Sequence, residues 1–458
     1  MTRRNGMQNP TDDHVIQTTK PRPRTVAALV LGHFIEVYDT ALYGLFVAPI
    51  ATAFFPAGNA DAALIATLAV FGVSFLSKSA GGLFFGVLAD RVGRRNSLMV
   101  SILLVGGSTA AIGLIPTYET AALLSPILLV VCRLLQGFAS GGEATVAPVF
   151  LGEYASRKRR GFITSFVAAA GNLGTLVAAA TGVIVGLSVN ESAFNDYGWR
   201  FAFLIAAPLA LFALYLRYGL EEPVTYQKAR SRVKSAPIRT ALRHWRMILR
   251  VSCLGALGTT FYIMFVYYPT YLVKETGLSA SDSRIVPLIL ISLLVVFNPL
   301  VGMLGDRYGR KLPLLLGGLA SVLFVLPGFL VAQSGGFLAA VLGGVLILIS
   351  VPLCLGSIHA ISMEFYPTEV RATAAGIAGT LGTFVFAGLP PVIVNVLTTT
   401  YDMPLAPAFV IVGTAVIGLL AAWGLPDTRK IDLETVGLSP ADTPAESPRA
   451  GVPGRVAP

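Results

Sequence analysis

The decapeptide Gly86-Val-Leu-Ala-Asp-Arg-Val-Gly-Arg-Arg95 returns 216 positions later as Gly302-Met-Leu-Gly-Asp-Arg-Tyr-Gly-Arg-Lys311. A second acid and base, Glu153 and Arg160, keep their interval as Glu364 and Arg371, at an offset of 211. Two matches in register mark an internal duplication. The surroundings identify the repeated unit. Each decapeptide lies between two apolar stretches, in a chain that is 54% hydrophobic and 13% charged, with mean hydropathy +0.72. Stretches such as Ser97–Pro116, Leu312–Gln333 and Phe337–Met363 carry no Asp, Glu, Lys or Arg. Each reaches the roughly 18–20 residues that cross about 30 Å of hydrocarbon as a helix. Helix is forced there, because lipid offers no partners for free backbone amides. The 47 Gly and 28 Pro fit membrane helices, where small residues permit close approach.

Working outward gives an all-α membrane protein with twelve spans: 26–54, 62–89, 97–116, 121–153, 162–187, 200–219, 248–272, 285–305, 312–332, 336–364, 372–398 and 407–425. The first apolar segment has no convincing signal-cleavage site and is expected to stay as the first span. Residues 220–247, with Lys228, Arg230, Arg232 and Lys234, form a charged central loop between six-helix bundles at 26–219 and 248–425. Residues 1–25 form an N-terminal tail and 426–458 a Pro- and Ala-rich tail expected to be disordered. With the N-terminus inside, the outer turns hold only Arg200, Lys274 and Arg284, and almost all other basic residues fall in the cytoplasm. Both termini are then cytoplasmic, in a multi-pass protein of the inner membrane. The same rule accounts for the net charge of +10 and argues against a nucleic-acid partner. Cys132, Cys253 and Cys354 match no metal spacing and read as packing residues.

Four further stretches carry a resemblance: Gly32-His-Phe-Ile-Glu-Val-Tyr-Asp-Thr-Ala-Leu-Tyr-Gly44, Arg133-Leu-Leu-Gln-Gly-Phe-Ala-Ser-Gly-Gly-Glu143, Glu364-Phe-Tyr-Pro-Thr-Glu-Val-Arg371 and Pro404-Leu-Ala-Pro-Ala408. With the repeated decapeptide, the chain resembles the major facilitator superfamily over about residues 26–430. Within it, the chain resembles the metabolite:proton symporters for α-ketoglutarate, citrate, shikimate and proline/betaine. It departs from that pattern at Lys78-Ser79, where the family usually has Arg-Pro, at Val37, where it often has Trp, and in Ala-Thr-Val-Ala-Pro after Glu143. The resemblance implies two pseudo-symmetric six-helix bundles, a central cavity holding Glu36, Asp39 and Arg133, and transport without enzymatic chemistry or a cofactor.

The acids of the repeats carry a separate argument. Positive-inside topology needs no Asp, yet Asp90 and Asp306 recur beside Arg91, Arg94, Arg307 and Arg310. Together with Glu153, Arg160, Glu364 and Arg371 they are expected to form ion pairs that hold the halves together when the cytoplasmic side is closed. Ionisable groups inside the membrane are costly and mark function. His33, Glu36, Asp39 and Tyr43 fall within an arc of about 120° on the first span, and Arg133, Gln136, Ser140 and Glu143 within about 80° on the fourth. Helical rise puts Glu36, Asp39, Lys78 and Arg133 near one depth. Glu36, Asp39 and Glu143 are the proton-coupling candidates, Glu143 with a packing role as its alternative. Burial disfavours a charged carboxylate and nearby cations favour it, so alternating water access would toggle an acid.

Substrate candidates are Arg133, Lys78, Gln136, Tyr43, His33, Tyr262, His359 and Asn298. Tyr262, Tyr267 and Tyr268 read first as an interfacial aromatic belt. His33 and His359 are core histidines or ligand contacts. No P-loop, metal cluster or nucleophile constellation stands in the sequence. The expected activity is proton-coupled import of a small carboxylate by a functional monomer. A zwitterion such as proline or betaine, efflux, and a non-transporting receptor are the alternatives; the loop and tail are too small for a receptor's output domain.

Overall fold

The computed structural model describes residues 23–56, 60–188, 193–229 and 237–426, together with residues 190, 428 and 433. The expected N-terminal tail, most of the C-terminal tail, and Arg230, Arg232 and Lys234 lie outside those residues. Among the described residues, twelve helices are long and apolar enough to cross a membrane. They are α1 Pro23–Leu45, α2 Ala62–Val92, α3 Arg94–Leu114, α4 Leu124–Tyr154, α5 Arg157–Ser188, α6 Asp196–Tyr218, α7 Trp245–Thr276, α8 Ser281–Tyr308, α9 Lys311–Gln333, α10 Phe337–Glu364, α11 Arg371–Thr400 and α12 Ala406–Trp423. This is the all-α, twelve-helix membrane fold that the sequence implied.

The differences have local causes. The first span was expected to run unbroken over 26–54. Instead α1 ends at Leu45 and a short helix, Val47–Phe54, follows Phe46. Pro49 stands just beyond the break, and its missing N–H cannot complete the helical ladder. The seventh span contains a wide π turn at Ile263–Tyr267 just before Pro269, and the eleventh has another at Phe384–Gly388 before Pro390 and Pro391. Between α2 and α3 the charges of the repeat were read as loop, but the helices continue through Asp90, Arg91, Arg94 and Arg95. Only Gly93 interrupts them, at φ 118°; its counterpart Gly309 has φ 103°. That backbone region favours glycine.

Close packing of α2 on α4 positions the intramembrane charges. A Cβ on Gly137 would lie 2.1 Å from the Ser74 carbonyl oxygen, and one on Gly141 would lie 2.2 Å from that of Lys78. The halves meet through α5 against α8 and α2 against α11. These crossings also rest on the repeat: a Cβ on Gly86 or Gly302 would come within 2.7 Å of the carbonyl oxygen of Ala372 or Gly161. The first glycine of each decapeptide therefore serves helix approach, and the one after its Asp-Arg pair serves the turn.

Candidate functional site

The charged residues of the repeats build two networks on one face, here termed the motif face. Asp90 lies at the start of α11, where its carboxylate accepts from the amides of Ala372 (3.3 Å) and Thr373 (2.7 Å) and from the Thr373 hydroxyl (2.6 Å). An acid at a helix N-terminus satisfies free amides and faces the positive end of the helix dipole. Arg94 binds Asp90 at 2.5 Å and Glu153 at 3.3 Å, and Arg371 reaches Glu153 at 2.6 Å. In the second network Asp306 accepts from the amides of Gly161 and Phe162, both at 2.8 Å, at the start of α5. Arg310 binds Asp306 at 3.1 Å and Glu364 at 3.2 Å, and Arg160 binds Glu364 at 2.7 Å. Each network joins residues from both halves of the chain. Arg91 and Arg307, grouped with these acids by sequence, are exposed at the ends of α2 and α8.

Glu222, just after α6, was not foreseen. Its carboxylate accepts from the backbone amides of Arg94 (3.0 Å) and Arg95 (2.9 Å) beside Gly93. Burial pushes its carboxyl above the usual range, opposed by those two hydrogen bonds. The sequence signal was an acidic pair, Glu221 and Glu222, opening an otherwise basic loop.

Deeper in, α1, α2 and α4 bring two acids to two cations. Glu36 pairs with the Lys78 ammonium at 2.7 Å, accepts from the Ser140 hydroxyl at 2.5 Å, and lies 2.7 Å from His33 Nδ1. Asp39 pairs with Arg133 at 3.2 Å and accepts from Gln136 at 2.6 Å, while Gln136 also reaches the Thr109 hydroxyl at 3.0 Å. The Arg133 guanidinium lies 4.2 Å from the centre of the Tyr43 ring, and the Tyr43 hydroxyl donates to the Thr67 carbonyl. Tyr43 is therefore the floor beneath Arg133. The two pairs differ in access: Lys78 is 27% exposed and Arg133 only 1%.

From the other half, Tyr262 lies within electrostatic reach of Lys78 and Glu36, and His359 within reach of His33. Asn298 stands apart, fully buried on α8 with no hydrogen-bond partner for its amide. Glu143 also stands apart, in a fully buried pair with Arg217 at 2.6 Å. Arg217 was read from sequence only as a cytoplasmic basic residue; the buried acid on the facing span was the signal for it. The interfacial-belt reading of the tyrosines is corrected for Tyr267 and Tyr268. Both are buried in an apolar cluster with Phe329, their hydroxyls donating to Thr398 Oγ1 and the Ala340 carbonyl.

The sequence matches the profile of the Major Facilitator Superfamily over residues 29–390. It is 32% identical over 433 residues to the proline/betaine transporter of Escherichia coli K12, covering 91% of this chain and 86% of that protein. It is 34% identical over 414 residues to the citrate-proton symporter of Klebsiella pneumoniae, covering 88% and 92%. Among solved structures, the proton:xylose symporter XylE of E. coli, bound to 6-bromo-6-deoxy-D-glucose, superposes with a TM-score of 0.74. That match covers 90% of this chain and 97% of the other at 20% identity, a likeness of fold.

Proposed function

Because the chain belongs to the major facilitator superfamily and is homologous to its metabolite:proton symporters, we propose that this secondary transporter of a small organic solute imports a carboxylate with protons. The observation that carries this reading is the paired cluster of Glu36, Lys78, Asp39 and Arg133. With all four groups ionised, its two acids balance its two cations. A proton on Asp39 weakens the pair with Arg133 and leaves the cluster with net positive charge, which favours an anion. Lys78, the most exposed member, meets the carboxylate first; Arg133, Gln136 and Tyr43 set its binding through Asp39, and His33, Tyr262 and His359 line the path, with Asn298 away from it. Asp39 carries the proton, and Glu36 holds Lys78 and His33.

The motif face is assigned to the cytoplasm on its excess of Lys and Arg. Both termini lie there, in an inner-membrane protein that works as a monomer of two six-helix units, 26–219 and 248–425. The Asp90 and Asp306 networks are then the cytoplasmic gate, closed in this conformation, with Arg91 and Arg307 at its rim.

A second reading keeps the mechanism and changes the solute to a zwitterion. It is favoured by the 2.7 Å Lys78–Glu36 pair, into which a carboxylate and a cationic group fit as a matching pair, and by similarity to a proline/betaine transporter. Thermal-shift measurements on the purified protein with citrate, proline and glycine betaine separate the two. Stabilisation by citrate alone supports the carboxylate; stabilisation by proline or betaine alone replaces it with the zwitterion. Loss of the citrate shift in Lys78→Ala, with its own melting temperature retained, is expected if Lys78 meets the anion.

A further inference from the structure

The polar faces of α1 and α4 run antiparallel and match step for step. Tyr43 and Asp39 meet Arg133, Asp39 also meets Gln136, and Glu36 meets Ser140. The next step pairs Gly32 with Glu143: a Cβ on Gly32 would lie 2.2 Å from a Glu143 carboxylate oxygen and 2.1 Å from an Arg217 nitrogen. Both helices advance by three or four residues per step, the spacing of one helical face.

The last step differs in kind from the others. Arg217 donates from Nε to the Ala28 carbonyl at 3.0 Å and from one terminal nitrogen to the Leu98 carbonyl and Glu143, both at 2.6 Å. Its other terminal nitrogen donates to Glu143 at 2.7 Å and reaches the Leu29 carbonyl at 3.5 Å. The Ser101 hydroxyl donates to Glu143 at 2.5 Å. Five donor contacts from a guanidinium that keeps its charge leave no vacant position. The pair is fully buried, and removing one partner of such a pair leaves the other charge uncompensated. It ties α1, α3, α4 and α6 together at one end, while the Asp39–Arg133 pair occupies the other.

We propose that Glu143 and Arg217 are positioning residues: they fix the register of α1 against α4, and with it the separation of Asp39 from Arg133 on which proton exchange depends. The proposal rests on the reading of Asp39 as the proton carrier. A rigid helix transmits an axial or rotational shift along its length, so a disturbance at Gly32 reaches Asp39 two turns away. The groups that face Asp39 are Arg133, Gln136 and Cys132 from α4, Thr109 from α3, and Glu36, Tyr38 and Tyr43 on α1 itself. None lies in the anchor, so a change in Asp39 titration caused there must pass through geometry.

The test needs no solute. Protein in lipid vesicles is titrated with pH while infrared spectroscopy follows the protonated-carboxyl C=O stretch, the Asp39 band being the one lost in Asp39→Asn. Gly32→Ala inserts a methyl group into the anchor without changing charge, and Ser101→Ala removes one hydrogen bond to Glu143. Both are expected to shift the Asp39 midpoint by about half a pH unit or more, as a sub-ångström change at an ion pair does, with Glu143→Asp intermediate. If Gly32→Ala fails to fold, Ser101→Ala decides alone. An unchanged midpoint in folded Ser101→Ala and Glu143→Asp overturns the positioning role and leaves Asp39 as the proton carrier. Absence of any Asp39 band between pH 4 and 10, a window of roughly six units that covers carboxyls raised by burial, overturns the coupling reading itself.

Discussion

The two networks of the motif face descend from one repeated plan, yet they are not equally furnished. Asp90 and Asp306 each cap a helix of the opposite half, and each is held by an arginine four residues on. At the Asp90 end the second capped residue is Thr373, whose hydroxyl adds a third donor; at the Asp306 end the equivalent residue is Phe162, which has none to give. Each network receives a carbonyl on its first arginine, Thr368 on Arg94 and Arg157 on Arg310, but among the described residues the Asp90 network alone adds one from beyond α12, the Leu433 carbonyl on Arg371. Asp90 is fully buried, whereas Asp306 is partly exposed. Duplication therefore supplied a symmetric frame, and single substitutions made one side the stronger clasp. Strength in a buried ion pair comes from its full set of hydrogen bonds, since charge attraction alone scarcely offsets desolvation.

This inequality sets the order of expected effects. Asp90→Asn should cost the closed motif face about 2 kcal/mol, roughly thirty-fold in the ratio of closed to open states, because it removes a buried charge with several donors. Asp306→Asn should cost about 1 kcal/mol, roughly five-fold, as its network is wetter and has one donor fewer. Cysteine-accessibility labelling from the motif face reads both; equal labelling in the two variants would break the comparison. Thr373→Val removes the extra hydroxyl alone, and should leave a gate about as weak as Asp306→Asn leaves it, near 1 kcal/mol. If labelling in Thr373→Val matches the wild type, the asymmetry has some other origin.

The smallest effect belongs to Leu433. This residue lies beyond α12, is buried against Val149 of α4 and Met363 of α10, and offers its carbonyl to Thr368 and Arg371. Leu433→Val keeps the carbonyl and loses one methylene of apolar contact, so labelling should rise about four-fold, the equivalent of about 0.8 kcal/mol of apolar burial. A rise as large as that of Asp90→Asn would mean that the carbonyl is displaced as well.

Much of this was legible in the sequence, for reasons that differ from residue to residue. The spans were readable because lipid permits little besides an apolar helix. The repeat marked Asp90, Arg94, Glu153 and Arg371 because acids recurred where topology required only bases. Glu36 and Asp39 showed themselves by helical spacing on one face. What escaped depends on contacts between distant segments. Arg217 lies 74 positions from Glu143 and looks like one more basic residue at a span's end. Leu433 has no local pattern to distinguish it from its tail. Tyr267 and Tyr268 misled because aromatic residues near a span's outer end are common in the interfacial belt, and only the packing of α7 against its neighbours turns these two inward.

The two acids of α1 supply the final contrast, and the most direct test of proton coupling. Glu36 holds Lys78, Ser140 and His33 and faces Tyr262, whereas Asp39 holds Arg133 and Gln136. The measurement is transport by Asp39→Asn protein in proteoliposomes, using whichever of citrate, proline and betaine stabilises the wild type. Uptake driven by an imposed pH gradient should fail, while exchange of labelled for unlabelled solute persists, because exchange needs no net proton release. Glu36→Gln should lose both activities together. Gradient-driven uptake retained in Asp39→Asn would contradict the account, because the proton would then be carried elsewhere.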